Sequence, residues 1–175
     1  MERAISTTAD ARQQFEALLG RHRGIVLKVA GMYSRDPEDR AEIAQEIALQ
    51  LWRAFPGYDR ERPFTTWMYR IALNVGISFL RGNARRDRHS VPFDERVHEP
   101  GSASAETPEA AERARMLHRC IARFEALERA LLLLYLEDRT YREIGEILGI
   151  SETNVGTKIA RLKERIRSDL TTGAD

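Results

Sequence analysis

The 175 residues predict an all-α protein of two small helical domains joined by a flexible linker. Three observations carry that expectation. Ile43, Ile47, Leu51 and Phe55 recur at every fourth position, one buried face of a helix. Val155, Ile159, Leu162, Ile166 and Leu170 recur at fourth and third positions near the other end, one stripe of another helix. Between them, Ser90 to Thr107 is rich in Pro, Ser, Ala and acid. It holds too few apolar side chains to offset the entropy of ordering it. The expected boundaries are residues 10–88 for the first domain, 89–107 for the linker and 108–172 for the second domain.

Composition narrows the class. Apolar residues make up 42% and charged residues 31%, as in a soluble globular chain. No apolar run is long enough to span a bilayer, and Met1 to Asp10 lacks the apolar core of a signal peptide. A cytoplasmic protein without membrane insertion is expected. The single cysteine, Cys120, excludes an internal disulfide framework and a cysteine-rich zinc site. Its neighbours Leu117, Ile121 and Phe124 mark it as a buried helix residue. The net charge of +1 is unevenly spread. Phe15 to His89 carries 13 basic and 9 acidic residues, and Ser90 to Ala114 carries 2 and 6. Lys158 to Arg167 holds five basic residues and one acidic, a local concentration suited to phosphate contacts.

The first helix is expected from about Ala11 to Tyr33, after a frayed start before Asp10. Phe15, Leu18, Leu19, His22, Ile25, Val26, Val29 and Tyr33 form its apolar face, with His22 a structural histidine. Asp36-Pro37 breaks the chain before a second helix that ends near Phe55 at Pro56-Gly57. Opposite its apolar stripe lies an edge of Glu42, Gln45, Glu46, Leu49 and Arg53. Glu42 and Glu46 are like-charged at i,i+4 and mildly repulsive. An acidic patch retained there has a use beyond folding.

Tyr58 to Pro63 is a charged aromatic loop, and Phe64 to Leu80 a third helix. Tyr58, Arg60, Arg62, Phe64, Trp67, Tyr69 and Arg70 interleave rings with arginines. A single nucleic-acid strand needs both, since bases stack on rings while guanidinium groups hold phosphates. The competing reading makes Phe64 and Trp67 core anchors, with Trp67 the more core-like of the two.

Beyond the linker, a helix is expected from Pro108 through Phe124, then a nearly all-apolar helix from Ala126 to Leu136. Thr140 followed by Glu143 makes a capping box. Gly149 stops the helix that follows, and Ser151 caps the next. Gly145, four residues before the turn glycine, is expected to let the two helices cross closely. This is the spacing of a DNA-binding helix-turn-helix, with Glu152 to Lys163 offered to the major groove.

Two blocks carry a resemblance. EIAQEIALQLWRAF (42–55) with PFTTWMYRIALNVGISFLR (63–81) resembles region two of bacterial RNA polymerase sigma factors. FEALERALLLLYLEDRTYREIGEILGISETNVGTKIARLKERIR (124–167) is similar to their region four. Two helical domains with a short acidic linker match the extracytoplasmic-function (ECF) subfamily.

The resemblance implies promoter recognition and initiation as a dissociable subunit. The partners it implies are core RNA polymerase, through its β′ clamp helices and β flap, promoter DNA, and an anti-sigma factor. It places polymerase binding on Glu42, Gln45 and Glu46. Minus-ten recognition and strand opening fall on Tyr58, Arg60, Arg62, Phe64, Trp67, Arg70 and Asn74. Minus-thirty-five recognition falls on Ser151, Glu152, Thr153, Asn154, Thr157, Lys158 and Arg161. Gly156 departs from the family, which commonly has Lys or Arg there. It costs helix propensity, and close approach to the DNA backbone is one use for it.

No nucleotide-binding glycine loop, metal-spaced cluster or catalytic triad is visible, so neither an enzyme nor a cofactor or metal is expected. Two other classes were weighed. A stand-alone helix-turn-helix regulator would bind duplex DNA as a dimer but has no need of the aromatic–basic segment. A protein-binding adaptor has no need of the basic Lys158 to Arg167.

Overall fold

The computed structural model describes residues 2–87, 107, 119 and 121–172. The linker expected at 89–107 (save Thr107), the helix start at Pro108 and Cys120 lie outside the described residues. The rest is helical, with no strand among the described residues: α1 (Glu2–Arg21), α2 (Arg23–Tyr33), α3 (Pro37–Ala54), a 3-10 turn (Phe55–Gly57), α4 (Phe64–Asp87), α5 (Ala126–Leu136), α6 (Tyr141–Leu148) and α7 (Glu152–Thr172).

The single first helix of the sequence reading is two. His22 leaves the helical region at φ −110° and ψ 16°, and the chain restarts at Arg23. Gly20 and Gly24 flank the break, and glycine weakens a helix on both sides of it. The helical backbone also starts earlier than expected, at Glu2, where Glu, Arg and Ala favour helix. His22 packs its ring 5.6 Å from that of Phe64.

Asp36 caps α3, accepting from the Glu38 and Asp39 amides at 2.8 and 3.1 Å, with Pro37 in the first turn. The fourfold stripe faces inward: Ile43, Ile47 and Leu51 are fully buried and meet Val29 of α2 and Met68 and Leu73 of α4 in one core. Phe15 of α1 closes one end, 5.2 Å from both Trp52 and Phe55.

The second helical unit follows its local signals closely. The Thr140 amide donates to Glu143 at 2.8 Å, and the Glu143 amide to Thr140 Oγ1 at 3.2 Å. The Thr140 amide and hydroxyl hold the Glu143 carboxyl below its ordinary value. Because the folded value is depressed, this contribution is present above the ordinary carboxylate range and lost as pH falls through the folded value. Gly149 adopts φ +70°, and Ser151 Oγ accepts from the Asn154 amide at 3.2 Å. Gly145 lies against the turn and the start of α7, with the Glu152 nitrogen 3.6 Å from where a Cβ would stand. A Cβ there would stand 2.7 Å from the Ile150 carbonyl oxygen, so the glycine makes room for the turn itself.

The two units share a seam. Tyr33 donates its hydroxyl to the Ala126 carbonyl at 2.8 Å. Arg129 donates to the Met32 carbonyl at 3.3 Å, and Lys28 meets Glu137 at 2.6 Å. Tyr69, 1% exposed, turns its hydroxyl to Glu137 at 3.3 Å under the guanidinium of Arg139. Burial, with help from the Glu137 charge, pushes the Tyr69 phenol up to about 12.

Candidate nucleic-acid interface

Two faces and one helix collect the predicted site residues. The first face is a groove of about 660 Å³ between α3 and α4. Glu42, Gln45 and Glu46 rim it, with Leu49 and Phe79 in its lining. Glu42 and Gln45 are exposed because they stand opposite the buried stripe; Glu46 is half-buried and accepts from Gln50 at 2.6 Å. Asn74 joins this groove rather than the aromatic loop with which the sequence reading grouped it. Its position on α4, three residues past the half-buried Ile71, turns it toward α3.

The second face is an aromatic cluster on the 56–63 loop and the first turn of α4. Tyr58 lies 5.0 Å from Trp67 and 5.4 Å from Phe64, and Phe64 lies 5.3 Å from Trp67. The burial of the two α4 rings is the reverse of that in the competing reading, which made Trp67 the more core-like. Phe64 is 8% exposed, wedged between His22 and Tyr58, whereas Trp67 is half-buried. Trp67, Tyr58, Gly57, Asp59 and Arg62 line a hollow of about 330 Å³, large enough for a flat ring.

The loop is held by its own bonds. Tyr58 donates to the Arg62 carbonyl at 2.7 Å, and Asp59 accepts from the Glu61 amide at 3.0 Å. Arg60 is tied to Gln14 of α1. Arg62 pairs with Asp59 at 3.7 Å, both largely exposed, which leaves it available to a phosphate. Arg70 is exposed on the following turn. Trp52, passed over in the sequence because it sits one residue off the α3 stripe, is 36% exposed and packs its ring 5.2 Å from that of Phe15.

The helix is α7. Ser151, Glu152, Thr153, Asn154, Thr157 and Arg161 are exposed, and Lys158 is half-exposed. Thr157 donates its hydroxyl to the Thr153 carbonyl at 3.0 Å. It therefore offers its methyl and lone pairs outward. The basic run is largely committed inside the protein. Arg165 pairs with Glu128 and covers the Phe124 ring, and Lys163 sits 4.3 Å above the Tyr135 ring. From Lys158 to Arg165, only Lys158 and Arg161 lack an acidic or aromatic partner among the described residues.

Gly156 faces the Tyr141 ring, where a Cβ would sit at an ordinary 3.5 Å. The position is covered by a side chain rather than kept open for a DNA backbone. Gly156→Ala should therefore raise the melting temperature, by up to about 1 kcal/mol of stability from helix propensity. A thermal melt of the full chain measures it.

Comparison with known families supplies the context for these faces. The model for Sigma-70 region 2 matches residues 18–86, and that for Sigma-70 region 4 matches residues 114–166. The chain belongs to the ECF sigma factors. The sigma factor is 28% identical over 170 residues to the ECF RNA polymerase sigma-E factor of Haemophilus influenzae, covering 91% of this chain and 88% of the relative. It is 26% identical to the RNA polymerase sigma-H factor of Pseudomonas aeruginosa, with coverage of 89% and 85%.

Its fold matches that of CnrH, solved in complex with the cytosolic domain of CnrY, at a TM-score of 0.66 and 19% identity over 94% of both chains. It also matches RpoE of Bartonella quintana, solved with the anti-sigma factor NepR, at 0.70 and 15%, covering 91% and 98%. Sigma factors are transcription initiation factors, and region 4 of this one is its helix-turn-helix DNA-binding region. A stand-alone dimeric regulator is thereby disfavoured, since it leaves region 2 without a role. Among the described residues no helix is long and apolar enough to cross a membrane, and no group of His, Cys, Asp and Glu could hold a metal ion.

Proposed function

We propose that this sigma factor joins core RNA polymerase through the acidic rim of the α3–α4 groove and carries it to promoters with two DNA-reading faces. The observation that carries the reading is the separation of those surfaces. Glu42, Gln45 and Glu46 stand on one groove, and the Tyr58–Trp67 hollow with its arginines forms another on the same domain. Glu42, Gln45 and Glu46 dock on the β′ clamp helices, and region 4 meets the β flap. Tyr58, Arg60, Arg62, Trp67, Arg70 and Asn74 hold the minus-ten strand, with Phe64 supporting them from beneath. A base drawn from the stack costs a few kcal/mol, about what stacking on one aromatic returns. The protein therefore captures a base on positioned DNA rather than melting a duplex alone.

Ser151, Glu152, Thr153, Asn154 and Thr157 read the minus-thirty-five element near the start of α7, and Lys158 and Arg161 hold phosphate. The domains run over 10–88 and 108–172, with 89–107 between them. The protein acts in the cytoplasm, performs no catalysis of its own, and is held inactive by an anti-sigma factor until induction.

The test is direct. Gln45→Ala/Glu46→Ala should lower stability by no more than about 1 kcal/mol, since Gln45 is exposed and Glu46 loses one part-buried hydrogen bond to Gln50. It should weaken capture by core polymerase and lower transcription from a defined promoter. Unchanged polymerase binding at unchanged stability would overturn the docking assignment.

A further inference from the structure

One face of α7 is low and apolar. Thr153, Gly156, Thr157 and Ala160 follow one another at third and fourth positions, so they share one side of the helix. Thr153, Thr157 and Ala160 are exposed. The Thr157 hydroxyl is turned back to the Thr153 carbonyl at 3.0 Å, which leaves its methyl outward. Ala160 presents a methyl one turn further on. Gly156 presents nothing, and a side chain from another helix occupies the space.

That side chain is Tyr141. It stands at the first position of α6, directly after the Thr140 cap. Side chains of a helix lean toward its N-terminus, so this ring projects past the start of α6 and reaches α7. Its Cε2 and Cδ2 stand 3.5 and 3.6 Å from where a Cβ of residue 156 would be. The contact covers only part of the ring, for Tyr141 is 37% exposed. Ile144 and Ile147, not Tyr141, carry α6 into the core, and the Thr140–Glu143 box holds its start. A longer side chain at 156 would push the ring aside; glycine lets it lie along α7. A helix that enters the major groove with such a face meets base edges through carbon. The apolar group that base pairs present there is the C5 methyl of thymine.

We propose that Tyr141 is a specificity-determining residue of the minus-thirty-five face: its ring, seated on Gly156 beside the Thr157 and Ala160 methyls, packs against the methyl of a thymine. The proposal rests on the promoter reading above and adds to it a reader that lies outside α7.

The test uses core polymerase joined to the full chain. Selection from a randomised duplex pool supplies its preferred minus-thirty-five sequence. Each thymine of that sequence is then replaced by deoxyuridine, which removes the C5 methyl and keeps every hydrogen-bonding group. The parent should bind the substituted duplex about threefold to fivefold more weakly at one or two positions, as loss of a buried methyl does. Tyr141→Phe should keep that discrimination, and Tyr141→Ala should lose it. Gly156→Gln, which fills the seat, should lose it at the same position while Tyr141 remains. Equal binding of thymine and uracil duplexes by the parent overturns the proposal. Discrimination that survives Tyr141→Ala also overturns it, because the Thr157 and Ala160 methyls then read the thymine alone. Should Tyr141→Ala melt below the assay temperature, discrimination that survives Gly156→Gln decides in the same way. A pool that yields no preferred upstream sequence overturns the promoter reading itself, and the role of Tyr141 falls with it.

Discussion

Phe64→Ala lowers the stability of region 2 by about 3–5 kcal/mol, the cost of truncating a core aromatic. The ring is 8% exposed and touches His22, Tyr58 and Trp67, so its removal leaves a void under the whole loop. Trp67→Ala behaves differently. Its ring is half-buried on the rim of the hollow, and its loss costs less stability but removes a stacking surface worth about 1–3 kcal/mol. Thymine reactivity to permanganate at the minus-ten element should fall, and a pre-opened bubble template should restore transcription. The same template should restore nothing to Phe64→Ala at a temperature where region 2 is unfolded. A stable Phe64→Ala protein rescued by bubble DNA would return the base-stacking role to Phe64.

Gly145→Ala destabilises region 4 despite the better helix propensity of alanine. The propensity gain is about 1 kcal/mol. Against it stands a Cβ 2.7 Å from the Ile150 carbonyl oxygen, a backbone atom that no rotamer change moves aside. Overpacking of that kind costs about 1–3 kcal/mol, and the turn must shift to relieve it. The shift re-aims α7, so binding to a minus-thirty-five duplex should fall further than stability does. The pair Gly145→Ala and Gly156→Ala separates the two effects, since both swap a helical glycine and only the first meets backbone. Equal melting temperatures for the two variants would refute the steric account.

What could be read from the sequence followed the range of the interactions involved. The helix-turn-helix was legible because its signals are local: Thr140 with Glu143, Gly149, and Ser151 with Asn154 each act within four residues. The α3 stripe was legible for the same reason. The break at His22 was not, because Gly20 and Gly24 weaken a helix without fixing where it yields. Which of Phe64 and Trp67 turns inward depends on His22 and Tyr58, outside the helix pattern. That Asn74 lines the α3–α4 groove had no sequence signal, because α3 is far away in the chain. The seam had no sequence signal at all, since Tyr33 and Ala126 lie 93 residues apart in the chain.

The intramolecular contacts of Lys163 and Arg165 bear on the proposed grip of α7 on DNA. Five basic residues in the run suggest a strong polyelectrolyte grip, but from Lys158 to Arg165 only Lys158 and Arg161 are uncommitted among the described residues. Each neutralised phosphate releases counterions worth about 0.9 units of slope in log affinity against log salt. Two such contacts lose only about tenfold in affinity between 50 and 200 mM salt. On the proposed reading, contacts from Lys158 and Arg161 alone give α7 a shallow salt dependence. On that reading, its occupancy of a promoter draws on the local concentration that attachment of the other half of the protein to polymerase creates.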